Sequence, residues 1–175
     1  MNKEGVILVN LHDKPGGVGE KLLVHKKGIL HRAFSILVFN SKNEMLLQKR
    51  ALSKYHCGGL WSNACCSHPR PNESLDSATK RRLKEEMGLV CKLKEIFVFH
   101  YKVSFDNLTE NEIDHVFIGY SDSKPKINKE EVSDYKWVSL EMLDMDITKN
   151  PEKYTPWFRI IWERIKRDRS ITLDF

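Results

Sequence analysis

The feature that most constrains this chain is a bounded, heavily charged helix set between stretches that read as strands. Over residues 73–87 the apolar Leu75, Ala78, Leu83 and Met87 recur at helical spacing. Asn72 or Ser74 can cap the start, and Gly88 ends it. Ahead of it, residues 6–9 read as a short strand. Residues 31–40 and 44–49 read as a hairpin turned by Ser41-Lys42-Asn43. The segment leading into the helix reads as loop, with Gly58-Gly59, Pro69 and Pro71. Beyond the helix come two longer strands, at 95–105 and 112–120, with Asp106-Asn107-Leu108-Thr109 between them. A short strand follows at 135–138, and Ser139 can cap a short helix through Leu143. The tail 156–169 is amphipathic, with Trp157, Ile160, Ile161 and Ile165 on one side. Strands on both sides of a central helix, with a helix at the end, predict an α/β (α+β) fold with a mixed sheet packed between helices. The chain has 175 residues and no Pro/Gly/Ser linker divides it, so one domain over 1–175 is expected.

Composition narrows the partner. A 41% hydrophobic and 30% charged chain is ordinary for a globular protein, and no apolar run is long enough for a bilayer. Met1-Asn2-Lys3-Glu4-Gly5 lacks the apolar stretch of a signal peptide, which makes a cytoplasmic location the expectation. Of the cysteines at 57, 65, 66 and 91, two are adjacent, which suits reduced thiols better than a disulfide framework. The net charge of +5 fits an anionic partner: nucleic acid, an acidic membrane or a phosphorylated small molecule. The basic run from Arg164 to Arg169 reads as a solvated helix face, and no nucleic-acid recognition motif is present.

The charges of the helix are patterned. The series Ser67-x5-Glu73-x7-Arg81-Arg82-Leu83-x-Glu85-Glu86-x-Gly88-Leu89 resembles the Nudix box throughout its spacing. In such a box, carboxylates on one helical face hold Mg²⁺, and the metal neutralises a diphosphate. Two positions depart from it: Ser67 stands for the first Gly, and Arg82 for the first Glu of the catalytic face. Arg82 shares a face with Glu86, four residues on. A cation in place of a metal ligand makes a poor hydrolase, but it can grip a diphosphate directly.

The flanking residues sharpen the resemblance. His25, His31, Arg50-Ala51-Leu52-Ser53-Lys54, Trp61-x-Asn63-x-x-Cys66-x-His68-Pro69, Glu110-Asn111-Glu112 and Tyr154-Thr155-Pro156-Trp157 are similar to type I isopentenyl-diphosphate isomerase, from about Val6 to Trp157. The resemblance implies a Nudix-like fold and an enzyme that interconverts isopentenyl and dimethylallyl diphosphate by protonation and deprotonation. It implies a cage of His25, His31, His68, Glu110 and Glu112 for a divalent metal, Mn²⁺ or Zn²⁺. It implies a Mg²⁺ held by Glu86 and the Cys66 backbone carbonyl. Cys66 and Glu112 fall at the proton-transferring positions, Tyr101 at a Tyr that assists the acid, and Trp157 at an aromatic that stabilises a carbocation. Lys21, Arg50, Lys54 and Arg82 fall at diphosphate-contacting positions.

Local geometry adds to this. Residues two apart on a strand share a face, so Glu110 joins Glu112 and, if the segment is extended, Cys66 joins His68 while Cys65 turns away. A monomer or weak homodimer, meeting neither nucleic acid nor membrane, is expected. Two other readings compete. A Nudix diphosphohydrolase would leave the His/Glu set without a role. A zinc-stapled module using Cys57, Cys65, Cys66 and His68 lacks a Cys-x-x-Cys knuckle.

Overall fold

The strand-like runs form a nine-stranded mixed sheet in the computed structural model, which describes residues 4–54, 56–105 and 107–168. In chain order the elements are β1 (Gly5–Val9), β2 (Pro15–Glu20), α1 (Lys21–Lys27), β3 (His31–Phe39), β4 (Glu44–Arg50), β5 (Trp61–Asn63) and β6 (Cys65–Ser67). Then come α2 (Leu75–Met87), β7 (Leu93–Phe105), β8 (Leu108–Tyr120), β9 (Val132–Ser139), α3 (Leu140–Lys149), a 3-10 turn at Pro151–Lys153, and α4 (Pro156–Arg167).

β3 is the hub. Its residues are buried almost without interruption, as expected of a strand covered on both faces. One edge runs parallel to β8, from His31 opposite Glu112 to Phe39 opposite Tyr120. The other edge takes β6 antiparallel, with Ser35 opposite Cys66. β7 extends the sheet beyond β8 and sets Tyr101 opposite Glu112.

Side chains alternate between two cores. Phe34, Ile36 and Val38 pack with Cys65 and Phe117 against Leu83, Met87 and Leu89 at α2. Leu37, Phe39, Met45, Leu47, Phe99 and Val116 pack against Leu143, Ile147, Phe158, Ile161 and Trp162 of α3 and α4. The sheet is therefore the middle layer between α2 and the α3–α4 pair. Full burial of each large apolar side chain contributes about 1.5–3 kcal/mol.

α2 is closed at both ends. Ser74, rather than Asn72, is the cap: its Oγ accepts from Ser77 N at 3.2 Å, while Asn72 takes a left-handed φ of 65°. At the other end the Lys126 and Asn128 amides donate to the Met87 and Glu86 carbonyls at 2.8 and 2.9 Å, which fixes the turn carrying Glu86.

Several boundaries differ from the sequence reading. β3 and β4 meet at the single pair Phe39 and Met45, because β4 turns to pair with β5 and β9. The expected hairpin is present but short before the strands diverge: Asn40 N donates to the Glu44 carbonyl at 3.1 Å, and Asn40 Oδ1 accepts from the Lys42 and Glu44 amides at 3.0 and 2.9 Å. The segment read as loop contains β5 and β6, three residues each, which owe their order to their partners β4 and β3. β2 and α1 were not expected. β2 is glycine-rich and mostly exposed. α1 has only seven residues and is closed by the Glu20 side chain and by Gly28. β8 begins early enough to carry Glu110 as well as Glu112, and α3 extends to Lys149. Met1, Asn2, Lys3, Asp106 and Arg169, which the sequence reading used, lie outside the described residues.

Gly88 ends α2 at a φ of 65°, and a Cβ there would stand 2.7 Å from both the Cβ and the carbonyl oxygen of Lys126. Gly88→Ala should lower stability by about 2 kcal/mol, read as a lower urea midpoint at unchanged m-value.

Candidate active site

The register of the sheet gathers the sequence-predicted residues at one end of β3 and β8. His31 lies beside Glu112, and Glu112 beside Tyr101. His25 comes from α1 and His68 from the residue after β6. The candidate ligand atoms of His25, His31, His68, Glu110 and Glu112 all lie within 4.8 Å of one another, and among the described residues no cysteine belongs to this group. The zinc-stapled module therefore has no support in the geometry.

The donor chemistry fits a cation. His25 Nδ1 is 2.6 Å from the Lys21 carbonyl, and His31 Nδ1 is 2.8 Å from the Ile29 carbonyl. A carbonyl only accepts, so both Nδ1 atoms carry a proton and both Nε2 atoms point inward, toward the carboxylates. His31 Nε2 faces His68 Nε2 at 3.2 Å, and both approach Glu112 Oε1, at 3.2 and 2.8 Å. Burial pushes His68 down to about 3, which keeps the ring neutral as a ligand must be. Burial and the adjacent Glu112 push Glu110 up to about 7, although His25 Nε2 lies 3.0 Å from its Oε2. Two neighbouring buried carboxylates resist ionising together, and a divalent cation would remove that conflict.

Beside the cage lies a small, partly open pocket. Lys21, Arg50, Lys54 and Arg82 line it, together with Cys66, Tyr101, Glu110, Glu112 and Trp157. Glu86 does not line it. It stands behind Arg82, its Oε1 taken by Arg82 Nη2 at 2.6 Å and its Oε2 by Gln48 Nε2 at 2.9 Å. Both pocket lysines also have local anions: Lys21 pairs with Glu4 at 3.0 Å, and Lys54 pairs with Glu131. Glu131 also meets Arg82 at 3.3 Å.

Cys66 and Cys65 point to opposite sides of β6. Cys65 is fully buried in the α2 core, while Cys66 faces the pocket. The Asn63 amide donates to the Ile36 and Cys65 carbonyls at 3.0 and 2.9 Å, which turns its Oδ1 toward the Cys66 thiol at 2.9 Å. Trp157 Nε1 donates to Cys66 Sγ and to Ser62 Oγ, both at 3.1 Å. Burial pushes the thiol up to about 12, so it holds its proton. On the opposite wall the Tyr101 hydroxyl donates to Glu112 Oε2 at 2.6 Å. Tyr101 thus stands with the carboxylate and not with the thiol. The Arg50 guanidinium carbon lies 5.2 Å above the Trp157 ring.

Three neighbours escaped the sequence reading. Ser35 Oγ donates to Asp114 Oδ2 at 2.8 Å and lies 3.6 Å from Cys66 Sγ. Their signal was available, since Asp114 continues the two-residue period of Glu110 and Glu112. The third is His56, whose Nε2 is 2.7 Å from Glu110 Oε1. No local period announces it, because it lies in a loop.

A NUDIX domain signature matches residues 29–158. Among solved structures, a Deinococcus radiodurans protein superposes with a TM-score of 0.76 at 18% identity, covering 94% of this chain and 98% of that one. A MutT protein from Methanosarcina mazei superposes with a TM-score of 0.65 at 25% identity, covering 79% and 94%. Sequence relatives are more specific. Isopentenyl-diphosphate Delta-isomerase 2 of Photorhabdus laumondii is 54% identical, with 90% of each chain covered. That of Aromatoleum aromaticum is 49% identical, covering 97% of this chain and 90% of its own length. The chain belongs to the NUDIX family and, within it, to the isopentenyl-diphosphate Delta-isomerases.

Proposed function

We infer that the pocket interconverts isopentenyl and dimethylallyl diphosphate, with Cys66 and Glu112 moving the protons. The observation that carries this reading is the placement of a buried, protonated thiol and a hydrogen-bonded carboxylate around one pocket lined by four cationic side chains.

Lys21, Arg50, Lys54 and Arg82 would receive the diphosphate. Each charge-assisted contact replaces or supplements the intramolecular partner described above. Glu86 and the Cys66 backbone carbonyl would hold a Mg²⁺, which would supply positive charge to the diphosphate, and Arg82, now paired with Glu86 Oε1, would also be available to the diphosphate. Bound metal supplies charge alone here: a divalent ion, Mn²⁺ or Zn²⁺, in the His25/His31/His68/Glu110/Glu112 cage keeps both carboxylates ionised, and Mg²⁺ neutralises the diphosphate.

With the diphosphate anchored, the Cys66 S–H bond breaks and its proton forms a bond to the terminal alkene carbon. The positive charge that develops at the tertiary carbon lies against the Trp157 indole. Glu112 then takes a proton from the carbon nearer the diphosphate, and that C–H electron pair becomes the new double bond. Tyr101 orients the carboxylate through Oε2. Thiolate and carboxylic acid return to their starting states by exchange with solvent. A hydrolase reading is weaker, because Arg82 occupies a metal-ligand position of the helix. A cytoplasmic setting completes the proposal; among the described residues no helix is long and apolar enough to cross a membrane.

In D₂O with Mg²⁺, isopentenyl diphosphate should give dimethylallyl diphosphate carrying deuterium in its methyl group, read by NMR and mass spectrometry. Release of phosphate or diphosphate without isomer would falsify the assignment.

The two adjacent cysteines should separate cleanly. Cys66→Ala should abolish turnover while substrate still binds. Cys65→Ala should keep most of the turnover and lose about 1 kcal/mol of stability for the vacated core volume. An active Cys66→Ala protein would remove the thiol from the mechanism.

The cage should hold one equivalent of divalent metal by elemental analysis, and His31→Ala should lower metal content and turnover together. Full turnover in a metal-free His31→Ala protein would remove the cage from the reaction.

A further inference from the structure

A fourth imidazole faces the cage. His56 lies within hydrogen-bond distance of Glu110 yet is not one of the five side chains whose candidate ligand atoms converge. We propose that His56 is a positioning residue that holds the Glu110 carboxylate in its ligating orientation and so sets the metal affinity of the cage. The inference rests on the metal-cage reading above.

The two oxygens of Glu110 are divided between two neighbours. Oε2 lies 3.0 Å from His25 Nε2, on the cage side. Oε1 lies 2.7 Å from His56 Nε2, on the side of the loop between β4 and β5. The terminal torsion of a glutamate is broad and two-fold, so its strand position alone does not choose which oxygen meets the cage. A donor on Oε1 makes that choice and leaves Oε2 for a cation. The outer partners of metal ligands act in this way, through ligand orientation and basicity.

His56 is itself well held. Its ring packs on Phe105 at 4.9 Å and meets the Trp157 ring edge-on at 5.6 Å. It lies near-parallel to the His25 ring at 6.1 Å. Its carbonyl accepts from Arg50 Nη2 at 3.2 Å, and the loop closes through Gly59 N to the Arg50 carbonyl at 3.0 Å. Gly58 permits this closure, since a Cβ there would stand 2.8 Å from the Leu52 carbonyl oxygen. The loop that presents Lys54 to the pocket therefore also presents a hydrogen-bond donor to the cage.

The test is Zn²⁺ binding to metal-stripped protein, in competition with a chromophoric chelator, for wild type, His56→Ala, His56→Leu and His56→Gln. The glutamine amide reaches the place of Nε2 and donates, but it is a poor metal ligand. Leucine fills the space and donates nothing, which covers the case of an alanine variant that fails to fold. Ala and Leu should raise the Zn²⁺ dissociation constant roughly 10- to 100-fold, and Gln should return it to within about threefold of wild type. Wild-type affinity in the leucine variant would overturn the role of His56 and leave the cage standing. Binding as weak in the glutamine variant as in the leucine variant would overturn it too, by making the imidazole a ligand or a packing body. A wild-type protein that takes up no Zn²⁺ would instead sink the cage reading.

Discussion

The parallel pairing of β3 with β8 is the constraint on which the site depends. With His31 opposite Glu112, the two-residue period of each strand lays His31, Ala33 and Ser35 beside Glu110, Glu112 and Asp114 on one face. The opposite face receives Phe34, Ile36 and Val38, which α2 covers. A slip of one residue would send the carboxylates into the apolar α2 core and the aromatics into the pocket. The cost of burying unpaired carboxylates makes that register unavailable. The same pairing that builds the core therefore selects the arrangement of the cage.

That register also explains how two groups proposed for opposite tasks share one pocket. Cys66 joins the same face through its pairing with Ser35 on the far edge of β3. Burial acts on both walls. It raises the thiol, which stays protonated. It also opposes ionisation of Glu112, but His31 and His68 outweigh it and hold that carboxylate well below its usual range. The proposed proton donor and proton acceptor thus differ by neighbours more than by depth.

What was legible follows from where the information lies. α2 was readable because its cap, its apolar spacing and its terminal glycine are all local, and the longer strands because they carry their own pattern. The candidate site was readable chiefly through the family resemblance of its motifs, and spacing added that Glu110 shares a face with Glu112 and Cys66 with His68. β5 and β6 were not, because three residues hold no periodicity and are ordered by the strands beside them. β2 carries no branched or aromatic run beyond Val18, so its pairing with β1 is tertiary information. His56 belongs to the same class: its partner Glu110 lies far along the chain, and only the closed loop brings them together.

The charge layout gives the last step. Before a ligand arrives, three of the four pocket cations are matched to carboxylates: Lys21 to Glu4, Lys54 to Glu131, and Arg82 to Glu86 with Glu131, while Arg50 donates to the His56 carbonyl and lies over the Trp157 ring. This matching lets a buried cationic cluster persist in the folded chain, because uncompensated like charges at this depth would oppose folding. It also tunes what the pocket accepts. A singly charged anion gains too little to displace these partners, whereas a diphosphate presents enough oxygens to engage several cations together. Replacing the Glu of a hydrolase helix by Arg82 fits that logic. On the proposed reading the position would add to the grip and subtract a metal ligand, so that a bound diphosphate would be held while the chemistry proceeds at the carbon chain.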